Sequence, residues 1–183
     1  IYLQMLDDLQ VRNLRIPTDW DLLEPQQGQY DFSWSDFMLN EAGKRGAKVM
    51  LVLGARQPRW PECHVPRWAR SLSIDQRHQK TLDFAKKVLE RYQKTEAIWA
   101  WQVENEPFAF WFGENCDAPD KQFLLEEVNL VKSLDTKRPV IVTDSGEWSD
   151  WTAAMKSSDI LGVSLYRKSY NKAMNLYITY PFS

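Results

Sequence analysis

Five short apolar runs recur along this chain, with helical periodicity between them. The runs are VRNLRIP (residues 11–17), KVMLVLG (48–54), the stretch 97–105, PVIVTD (139–144) and DILGVSLY (159–166). KVMLVLG is apolar almost without interruption, which fits a strand buried on both faces, as in a parallel sheet. The segments between the runs suit helices. Residues 1–10 carry Leu3, Leu6 and Leu9 at amphipathic spacing. Ser33 or Ser35 is placed to cap a helix reaching about Arg45, and Gly46 stands where a helix ends. Ile74–Tyr92 presents Leu82, Ala85, Val88, Leu89 and Tyr92 as an inner stripe. Asp120 can cap a helix containing Phe123, Leu124, Val128, Val131 and Leu134, and a short helix is expected over 151–156. The tail 167–183 shows no clear element.

Alternation of this kind predicts a parallel sheet with helices packed outside it. The long, irregular, aromatic segments all follow strands, whereas the helix-to-strand turns are short. That asymmetry is the layout of a β/α barrel, whose site is built at the C-terminal strand ends. A doubly wound open sheet alternates in the same way. No GxGxxG or GxxxxGK follows any strand, however, which disfavours nucleotide binding. A complete barrel needs roughly 250 residues, and 183 are present. The expectation is an α/β partial TIM (β/α)8 barrel, one incomplete domain without its first strand and last two.

Charge and cysteine content narrow the function. A net charge of -2 gives no basic footprint for nucleic acid. No run approaches the roughly 18 apolar residues of a membrane span, and no signal-peptide pattern is present. The two cysteines, Cys63 and Cys116, have no zinc-ligand spacing. His64 beside Cys63 allows a Cys–His pair on paper, but a loop thiol or a structural disulfide fits better. A Cys63–Cys116 disulfide would favour an extracellular or exported protein. The nine tryptophans are unusual, because Trp20, Trp60, Trp68, Trp111, Trp148 and Trp151 all fall in expected loops. Exposed aromatics stack on the faces of sugar rings, and large aromatics also fill gaps under loops.

The chemistry concentrates in IWAWQVENEP, residues 98–107. Side chains alternate faces along a strand, so Ile98, Ala100, Gln102, Glu104 and Glu106 are expected on one side. That side turns from apolar to acidic toward its C-terminal end, as a strand opening into a cleft would. Pro107 cannot continue the ladder and ends the strand. Phe108, Phe110 and Trp111 offer Glu106 an apolar surround, which raises a carboxyl pKa and suits a general acid. A solvated glutamate in a turn is the plain alternative.

Asn-Glu-Pro closing a tryptophan-flanked strand resembles the acid/base motif of clan A retaining glycoside hydrolases. These are TIM-barrel enzymes of the family 5, 39 and 42 type, and a family 5-like, cellulase-type protein is the first comparison. LRIPTDWDLLEPQQGQYDFSWSD resembles that clan's second-strand segment, LVLGARQPRWPE its third strand and loop, and GVSLYR its sixth strand. The resemblance implies Glu106 as general acid/base and Asn105 as a partner of the sugar 2-hydroxyl. It implies Arg15 beneath the site, holding a carboxylate, although a structural ion pair with Glu104 would also suit Arg15. Tyr166 would donate to the nucleophile, and Trp60, Trp111 and Trp148 would stack on sugar. It implies an oligosaccharide or polysaccharide substrate and no metal or organic cofactor.

A retaining enzyme needs a second carboxylate about 5–5.5 Å from the first, which the clan places at the end of its seventh strand. The expectation is that this nucleophile lies beyond the chain. Asp19, Glu114, Asp144 and Glu147 are the carboxylates at hand, and Asp144 or Glu147 could serve an inverting arrangement with a wider gap. Two other readings compete: a carbohydrate-binding barrel without catalysis, and an unrelated α/β interaction domain. The latter requires that Arg15, Glu106 and Tyr166 not meet at one cleft.

Overall fold

A computed structural model describes residues 1–146, 149–164, 166, 168–171 and 174–179. Five parallel strands form one sheet in sequence order: β1 (Asn13–Ile16), β2 (Lys48–Leu53), β3 (Ile98–Val103), β4 (Val140–Ser145) and β5 (Ile160–Ser164). Each strand pairs with the next one in the chain, as successive βα units of a barrel wall do. The helices are α1 (Tyr2–Asp7), α2 (Trp20–Leu23), α3 (Ser33–Lys44), α4 (Ile74–Tyr92), α5 (Lys121–Leu134) and α6 (Thr152–Ser157). The result is a half-barrel, as the alternation predicts.

The apolar runs become strands because both of their faces are covered. Every residue of β4 is buried, and Val49, Leu51 and Val52 of β2 have no exposed surface. On α4 the buried stripe is Phe84, Ala85, Val88, Leu89 and Tyr92, begun by Thr81. Leu82, expected in that stripe, is only half-buried, and Phe84 takes the inner position. A capping box fixes the start of α4: Ser73 Oγ accepts from the Gln76 amide, and Gln76 Oε1 accepts from the Ser73 amide. Asp120 caps α5 as expected, accepting from the amides of Gln122 and Phe123.

Three local expectations fail. Neither Ser33 nor Ser35 caps α3; Phe32 is the N-cap residue, and Asp31 Oδ1 accepts from the Ser33 amide. The expected loop after β1 contains the short helix α2, because Trp20 turns inward and is fully buried. The tail forms an antiparallel hairpin, β6 (Lys168–Asn171) with β7 (Leu176–Thr179). Its exposed tyrosines, Tyr170 and Tyr177, contact each other across the ladder at 5.2 Å between ring centroids. Its pattern is too short and polar to be read as a strand pair.

The expected loop asymmetry is present. Helix-to-strand turns are brief, while the segments after β2 and β3 occupy residues 54–73 and 104–120. These two long segments stand at the C-terminal edge of the sheet and meet there. Cys63 and Cys116 form a disulfide between them.

Candidate active site

The C-terminal ends of β1, β3, β4 and β5 and the two long loops enclose a cleft of about 940 Å³. Arg15, Trp60, Glu62, Asn105, Glu106, Trp111 and Tyr166 line it. Arg15, Glu106 and Tyr166 therefore share one cleft, as the interaction-domain reading requires them not to. Asn105 and Glu106 are buried, whereas Tyr166, Trp60 and Trp111 are exposed at the rim. Trp148 and Glu147 lie outside the described residues.

The expected one-sided face of β3 holds only as far as Gln102. Glu104 and Glu106 have φ of 55° and 48°, in the left-handed region. Period-two alternation belongs to extended backbone and stops where the chain turns. Glu104 leaves the cleft side and inserts between the end of β2 and α5. Its carboxylate accepts from the amides of Ala55 (2.7 Å) and Arg56 (2.6 Å). Gly54, with φ of 101°, makes this approach feasible, since a Cβ there would lie 2.1 Å from Glu104 Oε1.

Below Glu106, a polar network fixes the site's floor. Arg15 Nε donates to Gln102 Oε1 and Arg15 Nη2 to Asn105 Oδ1, both at 2.7 Å. The Arg15 hydrogen bonds thus go to two amide oxygens, neither to a substrate-side carboxylate nor to Glu104. Burial lowers the guanidinium pKa, opposed by the nearby charges of Glu106 and Glu62. Thr143 Oγ1 donates to Asn105 Oδ1 (3.3 Å) and accepts from the Glu106 amide (3.1 Å). Asn105 Nδ2 donates to Glu62 Oε2 at 2.9 Å. The Asn105 amide is therefore oriented from both ends: cation and hydroxyl donors on its oxygen, a carboxylate on its nitrogen.

Arg56 joins the two loops. Its Nε donates to Asn105 O (2.9 Å), and its Nη2 donates to Ala109 O and Phe112 O (both 2.9 Å). The guanidinium also sits over the Phe112 ring and beside the Cys116 sulfur. Burial lowers its pKa, opposed by Glu62, Glu104 and Glu106.

Other sequence candidates fall elsewhere. Asp144 is on the opposite parity of β4 from Thr143, and its carboxylate accepts from the Ser145 amide and the Ser149 hydroxyl. It is a turn cap, not a cleft carboxylate. Asp19 precedes α2 and lies 3.7 Å from the His64 ring, while Glu114 bridges to Glu62 through backbone. Cys63 is oxidised to the disulfide and His64 faces Asp21 at 3.1 Å, so no Cys–His dyad forms. Trp20 is core, Trp68 packs edge-on against it, and Trp151 donates to Ser145 O. Gln102 lies on the β3 face expected to turn polar, whereas Glu62, Thr143 and Arg56 are not among the sequence candidates. Thr143 carries a signal: it is the residue at which the apolar run of β4 turns polar.

Among the described residues, no group of three His, Cys, Asp or Glu could hold a metal ion, and no helix is long and apolar enough to cross a membrane. The sequence is 25% identical over 191 residues to the beta-galactosidase BgaA of Clostridium cellulovorans, covering 92% of this chain and 29% of that protein. Against the beta-galactosidase LacA of Lactobacillus acidophilus it is 25% identical over 165 residues, covering 79% and 24%. The chain thus spans less than a third of the relatives it matches. In fold it is similar to the cold-adapted beta-galactosidase of Rahnella sp. R3 (TM-score 0.67, 15% identity, 91% of this chain and 36% of that one). It is also similar to a family 5 enzyme of Bifidobacterium longum (TM-score 0.64, 12% identity, 90% and 44%). Within the clan that the motifs resemble, residues 3–152 match the profile of glycoside hydrolase family 42, described as beta-galactosidase, and the chain belongs to that family.

Proposed function

We propose that this chain forms the acid/base half of a retaining glycosidase active site acting on β-galactosides. The observation that carries this reading is the seating of Glu106. It stands in the turn just after β3, at the wall of a cleft large enough for a sugar, flanked by Arg15, Asn105 and exposed tryptophans. Glu106 protonates the glycosidic oxygen as the bond to the anomeric carbon breaks. A second carboxylate, contributed by residues outside these 183, attacks that carbon from the opposite face. Glu106, now ionised, takes a proton from the water that releases the sugar. Asn105 contacts the 2-hydroxyl, a bond that strengthens as positive charge grows on the ring. Arg15 orients Asn105 and keeps a positive charge near both cleft glutamates. Trp60 and Trp111 stack on sugar at the rim, Trp148 is assigned the same role, and Tyr166 donates to the nucleophile.

The substrate assignment is supported by the family and the named relatives. The Cys63–Cys116 bond supports an exported location, because disulfides persist in oxidising compartments. A carbohydrate-binding barrel without catalysis is not favoured, since an acid/base candidate and its supporting network are intact.

The test is Glu106→Gln in the full-length protein, assayed on an activated aryl β-galactoside. The expected result is a kcat lower by about 10²–10⁴-fold, because general acid–base groups contribute on that order. Azide should restore turnover and yield the β-galactosyl azide. Near wild-type hydrolysis without azide would remove Glu106 from the role.

A further inference from the structure

Glu62 is a second buried carboxylate on the cleft wall, and the acid/base reading does not use it. Its loop is held unusually firmly. The Gln57 amide donates to Glu62 O and the Glu62 amide to Arg59 O, each at 2.7 Å. A backbone bridge joins Glu62 to Glu114, and the adjacent residue carries the disulfide to Cys116. The backbone at Glu62 has φ of 70°, a conformation that side chains rarely adopt. A loop tied in this way presents one side chain in one direction.

That direction is toward Asn105. Oε2 accepts from Asn105 Nδ2. Oε1 has no hydrogen-bond partner among the described residues, and it is not among the unpartnered atoms sealed from solvent. It is therefore reached by solvent, and Glu62 lines the cleft. A largely desolvated carboxylate oxygen without a donor is costly unless water or a ligand supplies one. Burial and Glu106 disfavour the charge on Glu62, while Arg56 and His64 support it.

Resting on the reading above, we infer that Glu62 is a specificity-determining residue that accepts a hydrogen bond from the 3-hydroxyl of the sugar whose bond is cleaved. If Asn105 takes the 2-hydroxyl, the one other hydroxyl-bearing neighbour of that carbon is C3. Asn105 Nδ2 holds Glu62 Oε2 at 2.9 Å, which leaves Oε1 of the same carboxylate as the acceptor for the hydroxyl next to the one Asn105 takes. One wall thus offers a donor and an acceptor side by side, matching a vicinal diol. A carboxylate acceptor also discriminates strongly, because a ligand lacking the hydroxyl leaves the charge unpaired.

The experiment compares an aryl β-galactoside with its 3-deoxy counterpart, using the full-length wild type, Glu62→Gln and Glu62→Asp. Gln keeps the volume and an oxygen toward Asn105 but loses the charge. The wild type should lose about 10²-fold in kcat/KM on the 3-deoxy substrate. Glu62→Gln should lose about 10–100-fold on the galactoside and little more on the 3-deoxy compound, because the interaction is already gone. Equal losses on both substrates, or no loss on either, would overturn the assignment. If the variants fail to fold, a wild type indifferent to the 3-hydroxyl overturns it. A wild type with no turnover of any β-galactoside removes the acid/base reading, and this one with it. Turnover without 3-hydroxyl dependence removes Glu62 alone.

Discussion

The two ends of the sheet treat buried charge in opposite ways. At the N-terminal end, Asp135 accepts from Trp101 Nε1 (2.9 Å), Arg138 Nη1 (2.6 Å) and the amides of Lys137 and Arg138. Arg138 spends its other donors on Ile98 O, Gln93 O and Thr95 O. Burial raises the Asp135 pKa, but those donors outweigh it and hold the group at about 2. At the C-terminal end, Arg15, Asn105 and Thr143 satisfy one another, yet Glu62 Oε1, on a residue that lines the cleft, has no hydrogen-bond partner among the described residues. A saturated cluster has nothing left to offer a ligand and acts as a clamp. An unsaturated one holds binding capacity that only a ligand or water can complete.

The comparison breaks first at the clamp. Asp135→Ala strands the indole N–H and leaves Arg138 without its carboxylate, a loss of about 3 kcal/mol for a buried pair broken from one side. Thermal unfolding should detect it, while kcat/KM on an aryl galactoside at 25 °C stays within about twofold. Activity lost without stability would show the two poles to be coupled. The acid limb has a definite sign. The folded pKa is depressed, so Asp135 contributes fully above its unfolded value near 4, and that contribution is lost as pH falls toward 2.

Between the poles lies a buried pair of like charges. Burial raises Glu104 to about 7, and burial together with the Glu104 charge raises Glu127 well above the usual range. Among the described residues, Glu127 receives no hydrogen bond from an amide or a cation. Folded pKa values above the unfolded 4.5 mean that the native state binds more protons. Stability therefore falls as pH rises from there through 7 and beyond. Glu127→Gln removes one titrating group and should add about 1–2 kcal/mol at pH 8, flattening the melting temperature between pH 5 and pH 8. Identical slopes in variant and wild type would sink this account.

The smallest effect belongs to the rim. Trp60 is 64% exposed and contributes to the cleft rather than to the core. Trp60→Ala should raise KM about 3–10-fold, roughly 1 kcal/mol, and leave the melting temperature unchanged. An unchanged KM removes Trp60 from sugar stacking and narrows the site to its buried wall.

Much of this was legible in the chain itself. Periodicity is a local property, so the apolar runs and the stripe of α4 could be read with nothing else known. The cap at Asp120 and the glycine closing α3 needed only a few neighbouring residues. Glu106 stood out as a carboxylate at the acidic end of an apolar strand, and the resemblance of Asn-Glu-Pro to a known motif singled out Asn105 beside it. What the residues alone determined, then, is the alternating half-barrel, the end of the sheet that carries the site, and the strand that supplies Glu106. Tertiary structure decided which side chains meet there. The turn that sends Glu104 to α5 and Glu106 to the cleft depends on amides of Ala55 and Arg56, 49 and 48 positions away. The placement of Glu62 against Asn105 joins residues 43 apart, and Arg15 reaches Asn105 across 90. The loops that carry these residues have no period of their own, so their conformations follow from contacts that exist only once the sheet has brought its strand ends together.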